Sequence, residues 1–156
     1  MIIGVGFDLV DLADFGRTLE RSGEPFLKRV YTAQEIEYCK TQPHSGQSYA
    51  LRFAAKEAAM KALGVAGEEG LQWRDFEVVL AASGEPQMVL HGKAATKARA
   101  LKIRHLLLSL SHSMSSAGAV AIAEASPRSA GRKTTSKGSE PTSKKRAAPR
   151  TNGARL

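Results

Sequence analysis

The run R-F-A-A-K-E-A-A-M-K-A-L-G, from Arg52 to Gly64, constrains the fold more than any other stretch. Its five alanines, two lysines, leucine, methionine and glutamate are all good helix formers. The glycine at 64 suits the left-handed residue that closes a helix. The composition predicts one long helix from about Gln47 to Leu63. Phe53, Glu57 and Lys61 are spaced i, i+4, i+8 and share a face, so a carboxylate and an ammonium stand one turn apart. Taken alone, such a pair is an exposed ion pair worth a few tenths of a kcal/mol.

The N-terminal segment gives that helix a partner. Residues 1–8 alternate, with Ile3, Val5 and Phe7 on one face of a strand and Ile2, Gly4, Gly6 and Asp8 on the other. Two glycines on one face leave room for another backbone or a ligand to approach. From Asp8 to Gly23 the pattern reads as a short amphipathic helix, with Val10 or Leu12, Phe15 and Leu19 inward, ended by Gly23 and Pro25. Thr32 and Glu35 form a T-x-x-E capping box for a helix over about 33–40. Residues 64–70 are glycine-rich and irregular. Strands are predicted over about 76–82 and 87–91, joined by turn chemistry in A-S-G-E-P. A helix is expected over 93–101 with Ala94, Ala95, Ala98 and Leu101 inward. Leu106, Leu108 and Leu110 alternate with Ser109 and Ser111 in a further strand. The small apolar run 118–124 supplies a last strand that pairs with it. The fold class is α+β, an antiparallel sheet packed with one long helix and shorter helices.

Charge divides the chain in two. Residues 127–156 hold nine Lys/Arg and one acid, which leaves 14 basic and 14 acidic residues in 1–126. The overall charge of +8 therefore belongs to the tail. The body has no excess that points to nucleic acid; the tail's K-K-R at 144–146 could attract an anionic polymer. From Ser126 onward Ser, Thr, Lys, Arg, Pro, Gly and Ala dominate, too little apolar surface to offset ordering entropy. We expect a domain over 1–125 and a disordered basic tail over 126–156. One cysteine, Cys39, excludes an internal disulfide, and the four histidines show no zinc-ligand spacing. No apolar run approaches the roughly 20 residues that span a bilayer. The N-terminus carries no basic leader, so a cytoplasmic location is expected.

Asp8 and Glu57 form the first chemical pair. Two hard carboxylates together with substrate phosphates commonly hold magnesium; Asp8 could equally cap the helix after it. Lys61 could steady phosphate oxygens or sit in a surface pair. His112, in S-L-S-H-S, could bind phosphate, move a proton or be structural. G-V-G-F-D is too short for a dinucleotide fingerprint, and no phosphate-loop lysine is present. Asp8, Asp11 and Asp14 lack the glycine and glutamate of a calcium loop.

Three segments, in order, carry a family likeness. G-V-G-F-D-L-V-D-L at 4–12, R-F-A-A-K-E-A-A-M-K-A-L-G at 52–64 and L-L-L-S-L-S-H-S at 106–113 followed by A-G-A-V-A-I-A-E resemble motifs of the holo-acyl-carrier-protein synthases, the small 4′-phosphopantetheinyl transferases. S-G-E-P at 83–86 resembles a family turn. The likeness covers residues 1 to about 125. It implies transfer of the 4′-phosphopantetheine arm from coenzyme A to a serine of apo-acyl carrier protein, in fatty acid biosynthesis. Adenosine 3′,5′-bisphosphate leaves, and magnesium bridges the pyrophosphate. By the same resemblance Asp8 and Glu57 hold the metal, Lys61 serves the phosphates, and Glu57 relays the serine proton through a metal-bound water. Arg52, Gly64 and Pro86 lie along the coenzyme A site with His112 near its phosphates, and the assembly is a homotrimer with sites between subunits. Where the family has an arginine that meets the acidic carrier, this chain has Asp14. That leaves open a polyketide-type carrier; the basic tail separately leaves open a non-catalytic binding module, against which Asp8, Glu57 and Lys61 argue.

Overall fold

A computed structural model describes residues 1–67 and 70–126. The element order is β1 (Ile2–Asp11), α1 (Leu12–Val30), α2 (Ala33–Thr41), α3 (Ser45–Leu63), β2 (Phe76–Leu80), β3 (Pro86–Leu90), α4 (Gly92–Ala100), β4 (Ile103–His112) and β5 (Ser116–Ala125). The antiparallel pairing expected from the sequence is present but divided into two sheets. One is three-stranded, in the order β1-β5-β4, and the other is the β2-β3 hairpin. The expected disorder of the tail lies outside the described residues.

α3 is the centre of the molecule, buried on most of its circumference rather than along one stripe. Ala54, Ala55, Ala58, Ala59 and Ala62 pack between Ala119, Ala121 and Ala123 of β5 and a second wall of Phe76, Val78, Ala94 and Ala98. Small residues on both sides bring backbones close. β1 shows the limit of this approach: a Cβ built on Gly4 would fall on the carbonyl oxygen of Ala62, and one on Gly6 on that of Ala58. The room that the two glycines leave is filled by another backbone. A second cluster of Phe15, Val30, Tyr31, Cys39, Tyr49 and Ala50 joins α1 and α2 to the N-terminal half of α3. Phe53 stacks on Trp73 with ring centroids 4.7 Å apart.

The structure corrects three local expectations. β1 does not stop at Asp8. Leu9, Val10 and Asp11 pair with Gly118, Ala117 and Ser116 of β5, and this ladder outcompetes the helical pattern read from Asp8. Asp11, not Asp8, is the cap of α1, accepting from the Asp14 amide at 2.9 Å. α1 then runs past Gly23, whose positive φ of 54° interrupts the helix, and resumes through Pro25 to Val30. Leu101 is exposed rather than inward, because α4 stops at Ala100 and the chain turns through Lys102 at φ 58°. The Thr32–Glu35 capping box and the Gly64 cap, at φ 67° and ψ 31°, form as the sequence indicates. Among the described residues no helix is long and apolar enough to cross a membrane.

Candidate active site

Asp8 shares the inner face of β1 with Gly4 and Gly6, and the tight seating of that strand holds its carboxylate against α3. Lys61 reaches from α3 to donate to Asp8 Oδ1 at 2.8 Å and to the Phe7 carbonyl at 3.0 Å. The i, i+4 pairing expected between Glu57 and Lys61 is thus replaced by a pair that bridges helix and strand. Glu57 stands close enough to feel both charges. Its carboxyl is raised above the ordinary glutamate range, first by burial and then by repulsion from Asp8, with Lys61 opposing. Lys61 is raised by its hydrogen bond to Asp8, against a smaller effect of burial, with the charges of Asp8 and Glu57 adding to the rise.

Two carboxylates that repel one another, with one ammonium to balance them, form a site of net negative charge. No group of three or more His, Cys, Asp or Glu suited to a metal is present among the described residues. Two hard oxygen donors fit a magnesium ion, which keeps several waters and takes its remaining ligands from phosphates. They do not fit a metal that needs a full protein cage.

A second group of predicted residues lies beyond the other edge of the three-stranded sheet. Arg52 is 5% exposed, its guanidinium stacked 4.1 Å from the Tyr38 ring centroid. Its buried Nε has no hydrogen-bond partner among the described residues. Arg52 and Pro86 line one cavity of about 380 Å³ with Tyr38, Gly84, Leu108 and Ser109. A guanidinium lining a cavity is suited to an anionic or carbonyl-bearing ligand. Gly64 sits apart from this cavity at the end of α3, where its amide bonds back to Lys61 and Met60.

His112 ends β4, exposed, with Gln47 Nε2 2.9 Å from its Nδ1. Asp8 and His112 therefore belong to the two edge strands, with β5 between them. One chain brings Asp8, Glu57 and Lys61 together, and separately Arg52 and Pro86. It does not join the two groups.

Sequence reasoning missed the buried network behind the site. Lys56, next to Glu57 but turned about 100° from it around α3, donates to Glu35 Oε2 at 2.7 Å, to the Trp73 carbonyl at 3.3 Å and to the Phe76 carbonyl. Burial lowers the Lys56 ammonium from its usual range, and Glu35 opposes that. Glu35 also accepts from the Thr32 and Val78 amides, both at 2.9 Å. Thr32 Oγ1 donates to Glu77 at 2.7 Å, and Glu77 meets His91 at 2.7 Å. The capping box marked Glu35; nothing in the spacing marked Lys56.

The 4′-phosphopantetheinyl transferase superfamily matches residues 4–123. The chain belongs to that superfamily. A holo-acyl-carrier-protein synthase from Koribacter versatilis (strain Ellin345) is 45% identical over 124 residues, 80% of this chain and 99% of the relative. Among solved structures, a holo-acyl-carrier-protein synthase from Neisseria meningitidis superposes with a TM-score of 0.75 at 28% identity, covering 80% of this chain and 99% of that one. The Helicobacter pylori holo-acyl-carrier-protein synthase in complex with coenzyme A gives 0.68 at 30% identity, covering 77% and 99%. Within the superfamily, then, the Asp8–Lys61–Glu57 cluster lies on an inner sheet edge of a chain whose structural relatives include a coenzyme A complex.

Proposed function

We propose that this protein transfers the 4′-phosphopantetheine arm of coenzyme A to a serine of an apo-acyl carrier protein, in a magnesium-dependent reaction serving fatty acid biosynthesis in the cytoplasm. The observation that carries the reading is the Asp8–Lys61 contact at 2.8 Å beside a Glu57 carboxyl raised by burial and by Asp8, in a chain of this superfamily. The serine oxygen attacks the β-phosphorus, the bond from that phosphorus to the bridging oxygen breaks, and adenosine 3′,5′-bisphosphate leaves with the bond electrons. Asp8 and Glu57 would hold magnesium, which when bound neutralises charge on the pyrophosphate oxygens. Lys61 provides a point charge for the same oxygens. Glu57, beside Asp8 and Lys61, is assigned to relay the serine proton. Positioning and charge neutralisation supply most of the acceleration in such transfers.

The transferase domain is assigned to residues 1–125, in keeping with the superfamily match that ends at 123. Arg52, Pro86 and Gly64 are assigned to coenzyme A, and His112 to its phosphates. The separation of the two residue groups to opposite edges of one sheet supports a site completed by a neighbouring subunit, in a homotrimer. The outer face of the sheet supports it too: Val5, Phe7 and Leu9 are 62%, 58% and 62% exposed, and Leu107 of β4 is 50% exposed. A row of large apolar side chains in water marks an interaction surface.

The carrier meets a changed surface on α1. Asp14 is exposed and pairs with Arg17 one turn on, so part of its charge is balanced locally. On the same helix Lys28 is paired with Glu24 at 2.8 Å, which leaves Arg21 and Arg29 to meet an acidic partner. The test is mass spectrometry of several apo-carriers, of fatty-acid and polyketide type, after incubation with coenzyme A, magnesium and the protein. Gain of one phosphopantetheine mass on the serine supports the reading, and the carrier that reacts identifies the pathway class. Unchanged masses throughout would favour a binding module that works through the basic tail.

A further inference from the structure

Gln47 lies in the first turn of α3, and its amide faces two groups at once. Nε2 is 2.9 Å from His112 Nδ1 and 3.4 Å from the Ser113 carbonyl oxygen. A carbonyl can only accept, so the amide end turned toward it is the nitrogen, which can only donate. The imidazole nitrogen that meets the same amide nitrogen must then accept. In the neutral ring the proton is left on Nε2.

The platform under this contact is firmly built. The Ser113 amide donates to the Ser116 carbonyl at 2.8 Å, and Ser113 Oγ accepts from the Ser115 and Ser116 amides at 3.2 and 3.1 Å. The Leu12 amide donates to the Ser115 carbonyl at 2.9 Å, tying the β4–β5 turn to the start of α1. The first three bonds fix the shape of the turn, and the Leu12 bond fixes its place. His112 itself is exposed, and with Ser109, Ser111, Ser113 and Gly118 it borders a depression of about 310 Å³. Among the described residues nothing bonds its Nε2.

We infer that Gln47 is a positioning residue that fixes His112 as the Nε2–H tautomer and so presents one oriented N–H donor to an anionic oxygen of the ligand. Resting on the proposed function, that oxygen belongs to a phosphate of coenzyme A. A ring free to exchange tautomers would offer the acceptor edge for part of the time, and an acceptor repels phosphate oxygen. Second contacts of this kind orient histidines in metal sites for the same reason.

The test reads the ring directly. In full-length protein labelled with ¹⁵N-histidine, ring nitrogen–proton correlation spectra report which nitrogen carries the proton, and His112→Ala identifies the signal. The expected spectrum shows Nδ1 bare and Nε2 protonated. Gln47→Glu replaces the donor with an acceptor and, in spectra taken at a pH high enough to keep the ring neutral, should move the proton to Nδ1; Gln47→Leu should give a mixture. Gln47→Glu should also raise the KM for coenzyme A about tenfold with the KM for carrier little changed, and Gln47→Leu should fall between it and wild type. The other three histidine signals serve as the check on folding. An Nδ1–H tautomer in the wild type, or one indifferent to Gln47→Glu, overturns the inference. Normal kinetics in His112→Ala, with tautomers as expected, overturns the assignment to coenzyme A. Neither result depends on the mass assay, whose failure with wild-type protein would instead remove the proposed function.

Discussion

Glu57 is held by two opposing charges and a partly closed surface, and the consequence is measurable. With its folded carboxyl raised above the unfolded value, the native state gains most from this group when it is protonated. That stability is present below the ordinary glutamate range and is lost as pH rises through the raised value. Without divalent cation, Glu57→Gln should therefore melt higher than wild type at neutral pH. The gap should close as the pH falls into the ordinary glutamate range, as thermal melts across pH would record. The same variant should lose transfer by at least about a hundredfold while keeping its fold, since the proposed site loses one of its two carboxylates. Near-normal turnover would remove Glu57 from the site. Asp8, Glu57 and Lys61 were all legible in the sequence because each sits in a short motif with a definite element around it. The pairing was not. Lys61 bonds Asp8 across 53 positions, and helical spacing speaks only of the neighbour four residues away. Gln47 was equally hidden, since its partner lies 65 positions along the chain.

At the scale of elements, the seating of β1 on α3 and the clamp around Lys56 fix the site. Gly6→Ala puts a methyl group on the Ala58 carbonyl, a backbone atom in the most buried helix, so the strand must lift. A loss of about 3 kcal/mol or more is expected in denaturant titration, with Asp8 displaced and activity reduced along with it. Lys56→Met should cost about 3–5 kcal/mol, because it leaves the Glu35 carboxylate buried without its cation. Adding Glu35→Gln to Lys56→Met should recover part of that loss, a sign of coupling within one network. The sequence exposed the alanine-rich helix, the glycine-bearing strand and the capping box, which depend on local chemistry. It did not expose the extension of β1 to Asp11 or the burial of Lys56. Pairing with β5 decides the first, and the convergence of α2, β2 and the Trp73 turn decides the second. Both arise from contacts that no local pattern encodes.

For the whole molecule, the apolar outer face of the β1-β5-β4 sheet and the division of the site between its edges lead to one claim, that the active unit contains more than one chain. The basic tail has no place in that claim. Deleting residues 127–156 should leave loading of a small carrier within about twofold of the full chain; a large loss would mean that the tail docks substrate. The division itself is tested by mixing subunits. Glu57→Gln and Arg52→Gln proteins, each inactive alone in the carrier mass assay, are co-expressed so that their chains assemble together. If each site takes Glu57 from one chain and Arg52 from the next, random mixing leaves roughly one quarter of sites with both groups intact. Recovery of activity near that level is the predicted result. No recovery in verified mixed oligomers would place both residues in the site of a single chain and contradict the account.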